Sequence, residues 1–133
     1  MTLEFKKGEN YNVILVEDNV DHQRLIKELF KKSNINLDIV FNGQELLVKL
    51  KQGWKYDLVL MDIQMPMMNG YEATKAIRKD PRNKDLIIIG VTAFALDGDR
   101  QVAMSKGMND YITKPIDKET LFEVLSRHLV LKK

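Results

Sequence analysis

The chain of 133 residues contains no cysteine, which excludes disulfide bonds, thiolate metal ligands and a cysteine nucleophile. It also lacks an excess of either charge. Its 21 basic and 19 acidic residues leave a net charge of +2, which gives no attraction to nucleic acid or to an anionic membrane. No apolar run approaches the length of a membrane-spanning helix, and the N-terminus (MTLEFKKGEN) lacks the apolar core of a signal peptide. We therefore expect a cytoplasmic domain that contacts neither nucleic acid nor membrane.

The composition is that of a folded globular domain. Hydrophobic residues make up 44% of the chain and charged residues 30%, both near the averages for globular proteins. The length is usual for one domain, and the sequence shows no repeat, low-complexity tract or linker. We expect residues 1–10 to form an N-terminal lead-in and residues 11–131 to form a single domain.

Apolar runs and helical patterns alternate five times along the chain. The predicted strands cover residues 11–16, 37–41, 57–62, 86–92 and 110–113. The predicted helices begin at residue 20 and then cover residues 44–50, 71–79, 100–106 and 117–130, with a turn at Asn42-Gly43. Nearly continuous apolar strands are typical of parallel strands that are buried on both faces. The alternation therefore predicts an α/β fold, a parallel sheet with helices on both faces.

The most informative stretch is YDLVLMDIQMPMMNGY, residues 56–71. Its apolar strand ends on a single carboxylate, Asp62, and a loop with Pro66 and Asn69-Gly70 leads into the next helix. Open α/β sheets present reactive groups at the carboxyl ends of their strands. Asp62 is therefore predicted to carry the chemistry of the protein.

Other polar residues follow other predicted strands. Glu17 and Asp18 come after the first strand, Thr92 ends the fourth and Lys114 follows the fifth. In a parallel sheet these ends share one edge, so we expect the side chains to converge near Asp62. Clustered carboxylates without His or Cys ligands favour Mg²⁺. Lys114 and Thr92 would stabilise an anionic group such as a phosphoryl beside the metal, and a carboxylate can attack phosphorus to form an acyl phosphate.

These residues form motifs that resemble the receiver domain of two-component response regulators, most closely the receivers of hybrid sensor histidine kinases. The motifs are Glu17-Asp18-Asn19, MDIQMP at residues 61–66 with Asn69-Gly70, Val91-Thr92-Ala93, and Tyr111 followed by Lys114-Pro115. The likeness covers roughly residues 10–130, nearly the whole chain. It implies a flavodoxin-like fold with the strand order 2-1-3-4-5.

The resemblance also implies roles for individual residues. Asp62 would accept a phosphoryl group from a histidine kinase or a histidine phosphotransfer protein. Asp18, Asp62 and the backbone carbonyl of Gln64 would hold Mg²⁺, with Glu17 helping through water. Thr92 and Lys114 would bind the phosphoryl oxygens, and Tyr111 would rotate inward when Thr92 moves.

The signal would pass to a downstream effector or output domain. The implied surface is the face of the fourth helix, the fifth strand and the fifth helix. We expect a monomer or a weak dimer, and a phosphoacceptor that phosphorylates and dephosphorylates itself rather than an enzyme with a separate substrate. A stand-alone receiver and a piece of a hybrid kinase both remain open.

Two positions differ from the better-studied single-domain receivers. Gln64 lies two residues after Asp62, and the bulky Phe94 lies two residues after Thr92. The family uses these positions to control the access of water to the acyl phosphate. We predict that Phe94 partly shields the acyl phosphate, so that Phe94→Ala should shorten its lifetime.

Simpler interpretations of the same residues remain. The acids could be helix-capping residues near a helix N-terminus, Thr92 an ordinary β-branched strand residue, Lys114 a solvated lysine and Tyr111 a core aromatic. His22 and His128 are expected at the surface. The alternative functions are a phosphorylation-independent pseudo-receiver, a hydrolase with an aspartyl nucleophile and, more remotely, a flavin binder. The hydrolase is disfavoured because Gln64 occupies the position of its second acid.

Overall fold

The computed structural model describes residues 10–93 and 99–129. Its strands are β1 (Tyr11–Val16), β2 (Ile35–Val40), β3 (Leu58–Asp62), β4 (Ile87–Thr92) and β5 (Asp110–Thr113). Its helices are α1 (Val20–Leu29), α2 (Gly43–Lys51), α3 (Gly70–Arg78), α4 (Asp99–Ser105) and α5 (Lys118–Leu129). The strands form one parallel sheet in the order β2-β1-β3-β4-β5. This confirms the predicted fold class and strand order.

Two hydrophobic clusters cover the two faces of the sheet, because successive strand residues point to opposite sides. On one face Val13 and Leu15 of β1 pack with residues of α1 and α5. On the other face Ile14 and Val16 pack with residues of α2, α3 and α4. All residues of β3 and β4 are buried. The central strands are therefore held rigidly between two helical layers, and their carboxyl ends are fixed in position.

The observed boundaries correct several predicted ones. β2 starts at Ile35 and ends at Val40, not at residues 37–41, because Ile35 pairs with Tyr11 at the start of β1. β3, β4 and most helices differ from their predicted ranges by a single residue at one or both ends. A short 3-10 helix at Pro81–Asn83, which the sequence analysis did not predict, follows α3. In the described part of the chain, no helix is long and apolar enough to cross a membrane.

An asparagine caps the start of each of the first three helices. The side chains of Asn19, Asn42 and Asn69 each accept a hydrogen bond from the backbone N–H three residues on. Such caps satisfy a free N–H of the first helical turn. Asn42-Gly43 is therefore a helix start rather than the predicted turn. Three residues separate β1 from α1 and two separate β2 from α2, whereas the loop between β3 and α3 has seven.

Candidate functional site

Three carboxylates meet at the carboxyl edge of the sheet. Glu17, Asp18 and Asp62 each place an oxygen within 4.8 Å of the other two. Glu17 follows β1, and its backbone N–H donates to the Val40 carbonyl at 3.1 Å. Asp62 ends the central strand β3. Glu17 and Asp62 are each only 2% exposed, whereas Asp18 is exposed. The cluster is thus a half-open acidic pocket with one wall facing solvent.

Lys114 reaches the same pocket from the loop after β5. Its Nζ lies 3.1 Å from Glu17 Oε1 and 3.7 Å from Asp62 Oδ1. Its backbone N–H donates to the Thr92 carbonyl at 2.7 Å, which ties the loop to the end of β4. The peptide bond from Lys114 to Pro115 is cis. The structure therefore brings together the four charged residues that the sequence analysis selected.

The two buried acids differ in acidity. The pKa of Asp62 is raised to about 7, first by burial and then by the neighbouring Glu17 charge, although Lys114 and the Gln64 N–H oppose the rise. Burial would also raise the pKa of Glu17, but hydrogen bonds from the Asn19 N–H and Lys114 outweigh it and lower the pKa overall. Two nearby carboxylates do not ionise together easily. When Asp62 is ionised, Asp62 and Glu17 together carry more negative charge than Lys114 alone can neutralise.

This charge imbalance and the chemistry of the donors suit a hard divalent cation. The pocket offers carboxylate oxygens, the preferred ligands of Mg²⁺, and the exposed Asp18 leaves room for water ligands. Burial is the main cause of the raised pKa of Asp62, and a cation would relieve the second cause, the repulsion from the Glu17 charge. The N–H of Gln64 donates to Asp62 Oδ1 at 3.2 Å, so the Gln64 backbone lies against the pocket. The Gln64 carbonyl as a ligand stays a prediction.

The loop between β3 and α3 is clamped against the end of β3. The Gly70 N–H donates to the Ile63 carbonyl at 3.0 Å, and a Cβ on Gly70 would lie 2.6 Å from the Asp62 carbonyl oxygen. Only glycine fits such a close approach. Asn69 and Glu72 form a reciprocal capping box at the start of α3. The Asn69-Gly70 motif therefore holds the backbone of Asp62 in place.

Thr92 is 3% exposed at the end of β4, next to the end of β3. The side chain of Gln64 spans the two strand ends. Its Nε2 donates to Thr92 Oγ1 at 2.7 Å, and its Oε1 accepts from the Ala93 N–H at 3.1 Å. The sequence analysis missed this contact and considered only the Gln64 carbonyl and the position of Gln64 after Asp62.

His22, which was predicted at the surface, is partly exposed and also contacts the acidic pocket. His22 Nδ1 lies 2.9 Å from Lys114 Nζ and 3.4 Å from Glu17 Oε1, with the side chain 44% exposed. It comes three residues after the helix cap Asn19, in the first turn of α1 above the end of β1. That spacing is the signal by which the sequence could have placed His22 at the rim of the pocket.

His128 is also a partner in an ion cluster rather than a lone surface residue. Its Nε2 lies 3.1 Å from Asp110 Oδ2. Asp110 is 2% exposed and also pairs with Arg100 of α4 at 2.9 Å and Arg127 of α5 at 3.2 Å. These contacts of Asp110 join α4, β5 and α5.

Tyr111, the residue after Asp110, is partly buried and packs against the hydrophobic cluster formed with α2, α3 and α4. Phe94 lies outside the described residues.

Known proteins share both the sequence pattern and the fold. The family model of the response regulator receiver domain matches residues 13–126. Since this match covers most of the chain, the chain belongs to the response regulator receiver domain family.

Relatives with related sequences occur in several kinds of organism. Hybrid signal transduction histidine kinase I of Dictyostelium discoideum is 39% identical over 123 residues, which is 88% of this chain but 7% of that kinase. Two-component response regulator 24 of Arabidopsis thaliana is 35% identical over 114 residues, covering 86% of this chain and 81% of that protein. The chain thus spans only a small part of the hybrid kinase and most of the plant regulator.

Two solved structures add detail about such domains. The receiver domain of the sensor histidine kinase PA1611 from Pseudomonas aeruginosa, with magnesium coordinated in its active-site cleft, is 34% identical, with a TM-score of 0.80 over 91% of this chain and 98% of its own. The receiver domain of Ssk1 from Saccharomyces cerevisiae, in complex with the histidine phosphotransfer protein Ypd1, is 31% identical. That comparison has a TM-score of 0.84 over 96% of this chain and 94% of the other.

Proposed function

We propose that Asp62 accepts a phosphoryl group and that the domain works in a two-component phosphorelay. The observation that carries the proposal is the buried Asp62 carboxylate with Lys114 Nζ 3.7 Å away and two further acids around it. Buried acids with strongly perturbed pKa values beside a specific charge partner are typical of functional sites. The domain would occupy residues 11–131 and lie in the cytoplasm.

The transfer follows from the groups in the pocket. An Asp62 oxygen attacks the phosphorus of a phosphohistidine, the new O–P bond forms, and the P–N bond breaks with its electron pair left on the donor imidazole. The Asp62 carboxyl must lose its proton before it can attack, and with its pKa raised to about 7 it is only partly ionised at neutral pH. Lys114 opposes that rise and would stabilise the transferred oxygens. Thr92 would donate to the same oxygens once phosphorylation has occurred.

Magnesium fits the site, with Asp18, Asp62 and the Gln64 carbonyl as ligands and Glu17 acting through water. When bound, it would neutralise the acids and the phosphoryl oxygens. The partner would be a histidine kinase or a histidine phosphotransfer protein, a choice supported by the yeast complex of a similar domain. Tyr111 and the face of α4, β5 and α5 would relay the change to an effector or output domain. The domain would be a phosphoacceptor rather than an enzyme, and a monomer or weak dimer.

The test is the intact mass of the protein after incubation with acetyl phosphate, with and without Mg²⁺. The expected result is one added phosphoryl group, dependent on Mg²⁺ and absent from Asp62→Asn. Asp21→Asn, which changes an exposed acid of α1, should be phosphorylated like the parent. No added mass with acetyl phosphate or with any of several phosphohistidine donors would favour the pseudo-receiver, a module of the same fold that acts without phosphorylation.

A further inference from the structure

The side chain of Gln64 forms two hydrogen bonds to consecutive residues at the end of β4. Its Nε2 donates to Thr92 Oγ1 at 2.7 Å, and its Oε1 accepts from the Ala93 N–H at 3.1 Å. We call this pair of hydrogen bonds the Gln64 clasp. Gln64 is otherwise exposed to solvent. An exposed glutamine side chain normally samples several rotamers. Here the two hydrogen bonds hold the Gln64 side chain in one rotamer, and they offset the side-chain entropy that is lost.

The backbone around the clasp is already fixed by other bonds. The Ile63 N–H donates to the Val91 carbonyl at 2.8 Å, and the Lys114 N–H donates to the Thr92 carbonyl at 2.7 Å. These two bonds hold both carbonyls next to Thr92. The Ala93 N–H lies in the same planar peptide unit as the Thr92 carbonyl and is held with it. The Gln64 amide binds this N–H and, in addition, the Thr92 hydroxyl, whose position is set by rotation of its side chain.

We propose that Gln64 is a positioning residue that holds Thr92 and Ala93 in the arrangement of the unphosphorylated domain, and that phosphorylation of Asp62 must break the clasp. The inference rests on the proposed phosphoacceptor role of Asp62. A phosphoryl group on Asp62 would bring negatively charged oxygens to the edge where β3 and β4 end side by side. Charged oxygens are stronger acceptors than the neutral Gln64 Oε1. They therefore compete with it for the Ala93 N–H and draw the Thr92 hydroxyl away from Nε2.

The size of the effect follows from the number of bonds. Each neutral hydrogen bond shifts an equilibrium by about 2- to 10-fold. Loss of both bonds should therefore favour the phosphorylated arrangement about 4- to 100-fold. Gln64 contributes to the proposed metal site only through its backbone carbonyl, so a change of its side chain leaves every proposed metal ligand in place.

The experiment compares Gln64→Met, which keeps the length of the side chain but removes both polar ends, with the parent. The probe is beryllium fluoride with Mg²⁺, which adds to a carboxylate oxygen as a stable mimic of a phosphoryl group. We expect Gln64→Met to bind the probe about 4- to 100-fold more tightly than the parent. Gln52→Met, at the exposed end of α2, is the matched control and should bind like the parent.

A double-mutant cycle tests whether Gln64 acts through Thr92. In a Thr92→Val background the effect of Gln64→Met should fall by at least about twofold, because one of the two bonds is already absent. The amide signal of Ala93 in the free protein gives an independent readout. It should exchange with solvent faster in Gln64→Met than in the parent, whether or not any phosphoryl group binds.

The outcomes separate the two proposals. A parent protein that gains no phosphoryl mass and binds no probe would overturn the phosphoacceptor function and this inference with it. A parent that is phosphorylated, with a Gln64→Met variant that binds the probe equally or more weakly, would overturn only the clasp. Weaker binding would mean that Gln64 orients Thr92 for the phosphoryl group instead of restraining it.

Discussion

Asp62 should make the metal-free domain less stable at neutral and alkaline pH. Its pKa rises from an ordinary 3.8 to about 7 in the folded state, because the carboxyl is buried and lies beside Glu17. Between these two values the folded protein binds more protons than the unfolded chain, so stability falls as the pH rises. The contribution of the bound proton is complete below about pH 4 and is lost as the pH passes about 7. Asp62→Asn removes this loss.

The magnitude can be bounded from the size of the pKa change. A rise of about three units corresponds to about 4 kcal/mol at ~1.4 kcal/mol per unit. Glu17 and Lys114 adjust when the charge of Asp62 changes, so we take about half of that bound. Asp62→Asn should then be about 2 kcal/mol more stable than the parent at pH 8, which is on the order of 8 °C in Tm for a domain of this size. The difference should shrink steadily as the pH falls towards about 4.

Urea unfolding in the presence of EDTA at several pH values measures this difference. Asp21→Asn is the matched control, since its carboxylate is 88% exposed and lies 4.0 Å from Arg24. It should change stability by less than ~0.5 kcal/mol at every pH. An Asp62→Asn variant that is less stable than the parent at pH 8, or whose advantage does not depend on pH, would refute the electrostatic account of the pocket.

Three further predictions concern the metal, the loop before α3 and the buried acid Asp110. Mg²⁺ at about 100 times its Kd should stabilise the parent by ~2.7 kcal/mol and should stabilise Asp62→Asn much less, which thermal melts would measure. Equal stabilisation of the two proteins would show that the metal binds elsewhere. Gly70→Ala should destabilise the fold by about 2 kcal/mol or more in urea unfolding, because its Cβ would lie 2.6 Å from the Asp62 carbonyl oxygen; a cost below ~0.5 kcal/mol would show that the loop relaxes freely. Asp110→Asn should lower the free energy of unfolding by about 1 to 2 kcal/mol, a modest loss because the arginine partners of Asp110 are about half exposed. The variant should still be stabilised by Mg²⁺. An unchanged stability would mean that the ion cluster does not hold α4 to α5.

The sequence predicted the sheet because the strands that matter most are buried on both faces. Continuous apolar runs such as LVLMD of β3 leave no ambiguity about which residues enter the core. The start of β2 was predicted wrongly because its burial pattern is mixed and its register with β1 decides where pairing begins. Boundary errors thus fall where long-range pairing, rather than local hydrophobicity, sets the limit.

The charged members of the site were predictable for a similar reason. Parallel strands bring their carboxyl ends together whatever the details of packing, so Asp62 and Lys114 had to be close. The contacts of Gln64 with Thr92, and of His22 with Lys114, depend on side-chain rotamers and on the exact height of neighbouring strand ends. The spacing of His22 from Asn19 indicates only that His22 lies near the rim of the pocket, and no pattern in the sequence indicates the Gln64 contact, so the three-dimensional structure was needed to find both contacts.

The most direct test of the central proposal identifies the residue that carries the phosphoryl group. The protein would be treated with acetyl phosphate and Mg²⁺, reduced with borohydride, which converts an aspartyl phosphate to homoserine, and analysed by peptide mass spectrometry. The account predicts homoserine at position 62, dependent on Mg²⁺, with Asp18 and Glu17 unchanged. A modified residue other than Asp62, or a phosphorylated protein in which Asp62 is intact, would contradict it.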